Sequence, residues 1–252
     1  MIYGLWQSVG GLQAEDYRQT ILANNLANAN TAGFKPDRVA FTERLAASLT
    51  KGSAATRLSF LDGMTGGVFE TPLYTDYSQG PLSSSENPLD VAIYGDGFLK
   101  VQTPAGVRVT RDGQLTLAKD GTLIHAASGG AVLDSRNRPI VVTAGDPKSV
   151  KIDGSGTIRE GDTDLGRIAI VDFSDRQALE KSGNNLLSAD KAKEIPARGE
   201  IKQFHTEESG VEPVLALTDM ISASRAYQLN ATMISMQDES LSRVVNELGR
   251  IG

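Results

Sequence analysis

Stepping alternately three and four residues from Leu217, the chain presents Met220, Ser224, Tyr227, Ala231, Ile234, Asp238, Leu241, Val245 and Leu248. Only Ser224 and Asp238 break the apolar run, so the spacing predicts a heptad seam on one long helix. Pro213 suits the first turn of that helix and Gly249 its end, which gives a rod of roughly 54 Å at 1.5 Å per residue. The same rhythm starts at Ile2 and continues through Leu5, Val9, Leu12, Asp16, Gln19, Ala23 and Leu26. Gly33 is placed for a left-handed C′ position and Pro36 forbids continuation, so the first helix is expected to end near Asn30. Neither seam is stable bare in water: ordering costs about 1–2 kcal/mol per residue, against about 1.5–3 kcal/mol for each large side chain buried. The partner is either the other helix of the same chain or the helices of other copies.

Between these helices the pattern changes to short β-branched runs broken by glycine. Gln114–Lys119 and Thr122–His125 flank Asp120-Gly121, and Val150–Ile152 and Thr157–Ile158 flank Asp153-Gly154-Ser155-Gly156. Asp-Gly favours tight hairpins because glycine accepts positive φ. Further strands are expected at Val91–Ile93, Phe98–Val101, Val107–Thr110, Pro139–Val142 and Gly166–Phe173. Ser48–Ser85, rich in Gly, Ser and Thr, reads as an extended connector with room for one hairpin.

Composition narrows the function. The chain has 252 residues, a net charge of −6 and no cysteine. A negative balance offers no basic face for nucleic acid or anionic lipid. Zero cysteine excludes disulfides, Cys-ligated zinc, iron–sulfur clusters and thiol catalysis. Met1–Leu12 lacks a basic n-region and an apolar h-region, so no cleaved secretory signal is expected, and no run of about 18 apolar residues offers a membrane span.

Candidate chemistry is sparse. His125 and His205 stand far apart with no carboxylate at metal-ligand spacing and are expected to be partly exposed strand or loop residues. Gly95-Asp96-Gly97 begins like a dinucleotide fingerprint, but Lys100 occupies the third glycine position and no helix follows. Asp112, Asp120, Asp153 and Asp162 fail the calcium-loop pattern, and aspartate before glycine is already accounted for by turn chemistry. No catalytic residue, metal site or cofactor is expected.

One cluster remains. Ala23–Phe34 reads ANNLANANTAGF, and asparagine is a poor helix former because its amide competes for backbone hydrogen bonds. Asn30 suits a helix end, whereas Asn24, Asn25 and Asn28 lie earlier. Asn24 and Asn28 share one face a turn apart, where polar amides beside an apolar seam fix register at some cost in stability.

The stretch NNLANANTAGFK resembles the N-terminal signature of the bacterial flagellar rod and hook family, with Asn24, Asn25, Leu26, Ala27, Asn28, Thr31, Gly33, Phe34 and Lys35 filling its pattern. YSQGPL (77–82), NPLDVAIYGDGFLKVQTPAG (87–106), TRDGQLTL (110–117), GRIAIVDF (166–173) and MISASRAYQLN (220–230) are family-like too. QTPAG and VDFSDRQALEKSGNNLL are most similar to proximal-rod members, while LWQSVGGL leans toward distal-rod members; hook-type members are usually larger. Before the last helix the family commonly has Q-G-x-x-E-x-S-N-V, where this chain places Phe204 after Gln203 and Gly210 at the usual asparagine.

The resemblance implies an α+β subunit: long N- and C-terminal coiled-coil-type helices packed together, with a central, mainly antiparallel β domain. The expected divisions are an N-terminal assembly helix over 1–35, a connector over 36–85, a β domain over 86–209 and a C-terminal assembly helix over 210–252. Assembly residues would be Asn24, Asn25, Leu26, Asn28, Gly33 and Phe34, with Leu217, Met220, Tyr227, Ile234, Leu241, Val245 and Leu248. Implied partners are copies of itself, other flagellar rod and hook proteins and the flagellar type III export apparatus, with no nucleic acid and no membrane insertion. The implied location is the periplasmic rod of the flagellar basal body. Two rivals come from the residues alone: a carbohydrate-binding or hydrolytic β domain on a helical stalk, and a soluble homodimer closed by the heptad helices.

Overall fold

The computed structural model describes residues 2–43, 68–70, 73–143 and 147–248. Most of the connector expected over Ser48–Ser85 lies outside the described residues. The chain divides into a helical unit (residues 1–27, 37–74 and 213–252) and a β unit (28–36 and 75–212).

In the helical unit, α1 spans Ile2–Ala27 and α2 spans Pro213–Leu248. α2 begins at Pro213 as expected and is described to Leu248; the stop expected at Gly249 lies outside the described residues. α1 stops short of Asn30: Thr31 N donates to Asn28 O (3.1 Å) and Phe34 N to Thr31 O (3.2 Å), so the chain leaves the helix through turns. Gly33 does have φ 65°, but well past the helix end, so it is not a C′ cap. Phe41–Glu43 pairs antiparallel with Val68–Glu70 in the same unit.

Every described strand pair of the β unit is antiparallel. The main sheet is built on Phe98–Thr103, which pairs with Gly106–Thr110 on one side and with Ile170–Phe173 and Ala131–Val132 on the other. It continues through Leu123–His125 to Leu115–Leu117 and, past Gly106–Thr110, to Leu187–Ser188 and Glu180–Lys181. Side chains alternate across a strand. Phe98 accordingly joins Tyr77, Val109, Phe173, Leu179 and Leu187 in one core cluster, while its neighbour Leu99 joins Val91, Ile93, Leu115, Leu123 and Ile158 in another.

Both Asp-Gly turns form. Gly121, at φ 81°, closes the hairpin that sets Leu117 opposite Leu123. The Asp153 carboxylate accepts from the Ser155 and Thr157 backbones and sets Ile152 opposite Ile158. Two strand expectations need correction. Gly166–Phe173 is two strands, Thr163–Arg167 and Ile170–Phe173, because its first part pairs with Thr157–Glu160 and its second with Phe98–Leu99. Pro139–Val142 is not a continuous strand; it makes isolated bridges at Pro139 and Val141, consistent with proline's missing donor.

Between Glu200–Gln203 and His205–Glu207 sits Phe204, at φ 60° and 44% exposed. Its N–H donates to Asp90 O and its carbonyl accepts from Ser85 N, which fixes this backbone. A left-handed conformation costs a residue with a Cβ about 1–2 kcal/mol, whereas glycine adopts it freely but loses more entropy on folding. Phe204→Gly is therefore expected to raise the stability of the β unit by about 1 kcal/mol, read as a higher urea midpoint with an unchanged m-value. An unchanged or lower midpoint counts against the strain.

Candidate assembly site

α1 approaches α2 through small residues. A Cβ at Gly4 would lie 3.2 Å from Gln237 Nε2, and one at Gly11 would lie 3.2 Å from Asn230 Nδ2. As the chain rises along α1 its contact falls along α2, so the helices run antiparallel. Ser8, Ala14, Ile21 and Asn25 on α1 are buried, as are Ala216 and Ala223 on α2. The inward stripe of α2 therefore steps through Ala216, Met220, Ala223, Tyr227, Asn230, Ile234, Gln237 and Leu241. Among the residues singled out in the sequence, Met220, Tyr227, Ile234 and Leu241 lie on it, half-buried. Leu217 and Val245 are 48% and 67% exposed. Leu248 ends α2. The strict heptad and the observed stripe share every second position. They part where two backbones come close enough to leave room only for glycine, alanine or an amide.

The far side of α2 carries exposed apolar side chains set among polar ones, Thr218, Arg225, Thr232 and Arg243. At 100° per residue, Val214, Ile221, Leu229 and Met236 fall on the side opposite Ala216 and Ala223, with exposures of 79%, 48%, 67% and 62%. Leu215 and Met233 flank them at 56% and 51%. Each of these side chains would gain about 1.5–3 kcal/mol on full burial.

The asparagines divide their work. Asn25 is buried, donates from Nδ2 to Asp37 O (2.8 Å) and accepts at Oδ1 from Asp37 N (3.1 Å). Its amide thus imitates a β-bridge partner and holds the chain after Pro36 against the end of α1. Asn28 Oδ1 accepts from the Thr31 hydroxyl (3.2 Å), which supports the exit turn. Asn24 is exposed and Leu26 half-buried.

Residues 28–36 are tied into the β unit at each step. Ala32 O accepts from Asn185 Nδ2 (2.5 Å), Gly33 N donates to Glu207 O (2.7 Å) and Phe34 O accepts from Gly210 N (3.0 Å). Lys181 Nζ lies 4.5 Å from the Phe34 ring centroid and donates to Lys35 O (2.8 Å). At Gly33 a Cβ would sit 2.5 Å from the Arg111 carbonyl carbon, so backbone proximity as well as positive φ requires glycine there.

Beneath this strap is a buried ionic group. Glu207, fully buried, accepts from Lys35 Nζ (2.5 Å) and Gly80 N (2.9 Å) on one oxygen and from Arg111 Nη1 (3.3 Å) on the other. Lys35 also donates to Ser78 O (2.6 Å) and Arg111 to Gly95 O (2.8 Å), with the guanidinium carbon 5.3 Å from the Phe98 ring centroid. Burial pushes both cations below their ordinary pKa values, against the pull of Glu207. Reading the sequence did not single out Glu207, although it fills the glutamate of Q-G-x-x-E; nothing local to it signals partners so far away in the chain.

His125 corrects an expectation. It is fully buried, with Nε2 3.0 Å from Asp112 Oδ2 and Nδ1 2.8 Å from Ser128 Oγ. The three residue types are those of a hydrolase triad, but the imidazole has no exposed surface and Ser128 Oγ also accepts from Gly130 N (3.2 Å). The set pins the Asp112 turn to the next hairpin. His205, half-buried, meets Gln203 O at 2.8 Å. Among the described residues no cluster of His, Cys, Asp and Glu could hold a metal, and no helix is long and apolar enough to cross a membrane.

Three family models match the chain: a flagella basal body rod protein model over 7–35, a flagellar hook protein FlgE/F/G D1 domain over 92–160 and a flagellar basal body rod FlgEFG protein C-terminal model over 202–248. The flagellar basal-body rod protein FlgF of Caulobacter vibrioides is 34% identical over 237 residues, 92% of this chain and 91% of that one. The chain belongs to the flagellar basal-body rod protein family. Rod proteins named FlgG align as fully: that of Buchnera aphidicola (from Acyrthosiphon pisum) is 32% identical over 97% of this chain and 99% of its own, and that of Bacillus subtilis 32% over 98% and 99%. The asparagine signature falls in the first matched segment, and Glu207 with α2 in the third.

Proposed function

We propose that this protein is a structural subunit of the bacterial flagellar rod, joining an axial, torque-transmitting tube through α1 and α2. Kinship to FlgF and FlgG rod proteins over nearly the whole chain supports the reading. The observation that carries it is the row of exposed apolar side chains on the far side of α2, Val214, Ile221, Leu229 and Met236, which the α1 contact does not use. In the tube that side packs, coiled-coil fashion, on helices of neighbouring copies and of other rod and hook proteins. Such contacts are heterologous and do not close on themselves, so they propagate. Asn24, Asn25, Leu26, Asn28, Gly33 and Phe34 set the corner at the end of α1, and Leu217, Met220, Tyr227, Ile234, Leu241, Val245 and Leu248 contribute apolar surface of α2. The divisions 1–35, 36–85, 86–209 and 210–252 then act as assembly helix, connector, outer domain and assembly helix. QTPAG and VDFSDRQALEKSGNNLL favour the proximal rod over the distal rod. Export through the flagellar type III apparatus without a cleaved signal would deliver the subunit to the periplasmic rod.

The test is a double variant, Leu229→Asp with Met236→Asp. Both side chains are more than half exposed, so the purified variant is expected to keep its circular dichroism spectrum and melting temperature. In cells lacking the native protein it is expected to restore neither rods in isolated basal bodies nor swimming. Normal incorporation of the variant would overturn the proposal.

A further inference from the structure

On the β unit a cavity of about 440 Å³ opens between the central strand at Lys100, the turn Ser135–Asn137, the segment Arg167–Val171 and the stretch from Glu194 to Gly199. Lys100 is an unusual residue for its place. It lies between fully buried Leu99 and Val101, on a strand paired on both sides, and its own side chain is only 10% exposed. Putting a cation there is costly unless an anion meets it. Glu194 does so, with its two oxygens 2.8 and 2.9 Å from Nζ, and Asn137 Oδ1 lies 3.3 Å away.

The two partners are not equally fixed. Glu194 is 48% exposed and begins Glu194–Pro196, a short strand exposed along its length. The lysine is built into the sheet; the carboxylate reaches it from outside. The lining carries Lys100 and Arg167 against Glu194, one net positive charge on a chain of net −6. Among the described residues, the Asn137 amide nitrogen, the Ser135 hydroxyl and the Arg167 terminal guanidinium nitrogens donate to no protein acceptor; Arg167 spends only Nε, on Ser155 O (2.6 Å). Ile170, Val171, Pro196 and Ala197 supply an apolar wall beside these donors. Free donors and a surplus positive charge beside an aliphatic wall match a monoanion with a small apolar body.

We propose that this cavity is a binding subsite for a small organic carboxylate with an aliphatic body, anchored on Lys100, and that Glu194 is its resident stand-in. The ligand carboxylate takes the place of the Glu194 oxygens on Nζ, and Glu194 swings into solvent. Asn137, Ser135 and Arg167 donate to the remaining oxygen positions. The site is independent of the helices, so it stands or falls apart from the rod-subunit reading.

The experiment is an amide-detected NMR titration of the full chain with N-acetylalanine, and in parallel with N-acetylalaninamide, which has the same body and no charge. The acid is expected to shift the Ala169, Ile170, Ala197 and Gly199 amides along a saturable curve, and the amide to leave them in place. Lys100→Met keeps the length and apolar stem of the lysine and should abolish the shifts. Arg167→Ala, at an exposed position, should weaken binding without disturbing the fold. Glu194→Gln removes the internal competitor, and since a partly exposed ion pair is worth up to about 1 kcal/mol, it should tighten binding by up to about 5-fold. Absence of saturable shifts, equal response to acid and amide, or a Glu194→Gln variant that binds no better than the parent would each overturn the proposal.

Discussion

Glu207→Ala is expected to destabilise the β unit by about 3–5 kcal/mol, a large share of the 5–15 kcal/mol that typically holds a domain together. The cause is not the loss of attraction as such but what is left behind. Lys35 and Arg111 are 4% and 2% exposed at their side chains, and Glu207 is the anion shared between them. Without it, two cations stay in a low-dielectric interior and Gly80 N loses its acceptor. Glu207→Gln, which keeps an acceptor for Gly80 N but not the charge, should fall between the variant and the parent.

The pH dependence separates this explanation from simple loss of packing. Burial already lowers the pKa of Lys35, and Glu207 opposes that. In the alanine variant the opposition is gone, so the folded-state value drops further below 10.5. Between that value and 10.5 the unfolded chain carries a proton that the folded chain has released, so stability rises with pH across the window. Urea titrations of both proteins at increasing alkaline pH should show the variant recovering part of its deficit. A deficit independent of pH would place the loss elsewhere.

Gly113→Ala is expected to yield no folded β unit at all. A Cβ at this position would lie 1.6 Å from Val91 O and 2.7 Å from Val91 C. These are backbone atoms, and Val91 is itself fixed by its N–H to Gly113 O (3.0 Å) and by pairing with Gln203. No rotamer change relieves the overlap; the loop at Gly113 must move away from the Val91 strand, and the cluster holding Val91, Ile93 and Leu115 opens with it. Gly129→Ala is the matched comparison. Gly129 has φ 68° but nothing within 4 Å of its Cβ position, so only a backbone cost of about 1 kcal/mol applies. Size-exclusion chromatography and near-ultraviolet circular dichroism should find the Gly129 variant native and the Gly113 variant expanded or aggregated. A compact Gly113 variant with native aromatic signals would refute the clash.

What could be read from the chain was local. Pro213 opens α2 because its backbone constraint acts where it stands, and Asp120-Gly121 and Asp153-Gly154 announce hairpins for the same reason. What escaped reading depends on partners distant in sequence. Lys35 and Glu207 are 172 residues apart, and no pattern around either marks it as buried. His125 resembles any strand histidine until Asp112 and Ser128 close over it. The inward stripe of α2 was half legible: Met220, Tyr227, Ile234 and Leu241 stand out as large apolar residues at helical spacing. Ala216 and Ala223, the most deeply placed, carry little hydrophobic signal, because close helix approach selects for smallness. The asparagines attracted notice as poor helix formers, yet only the structure shows that Asn25 reaches out of its helix to the backbone of Asp37.

The helical unit draws on three separated stretches, and the residues of the β unit are synthesised between its two helices. α1 is therefore made long before the α2 residues that meet Gly4 and Gly11, Gln237 and Asn230. During synthesis the β unit can begin to consolidate from hairpins that close over short loops, while α1 still lacks α2. The nascent polypeptide thus carries α1 without its α2 partner while the β unit is being made, and a binder that engages α1 in that interval does not have to displace α2.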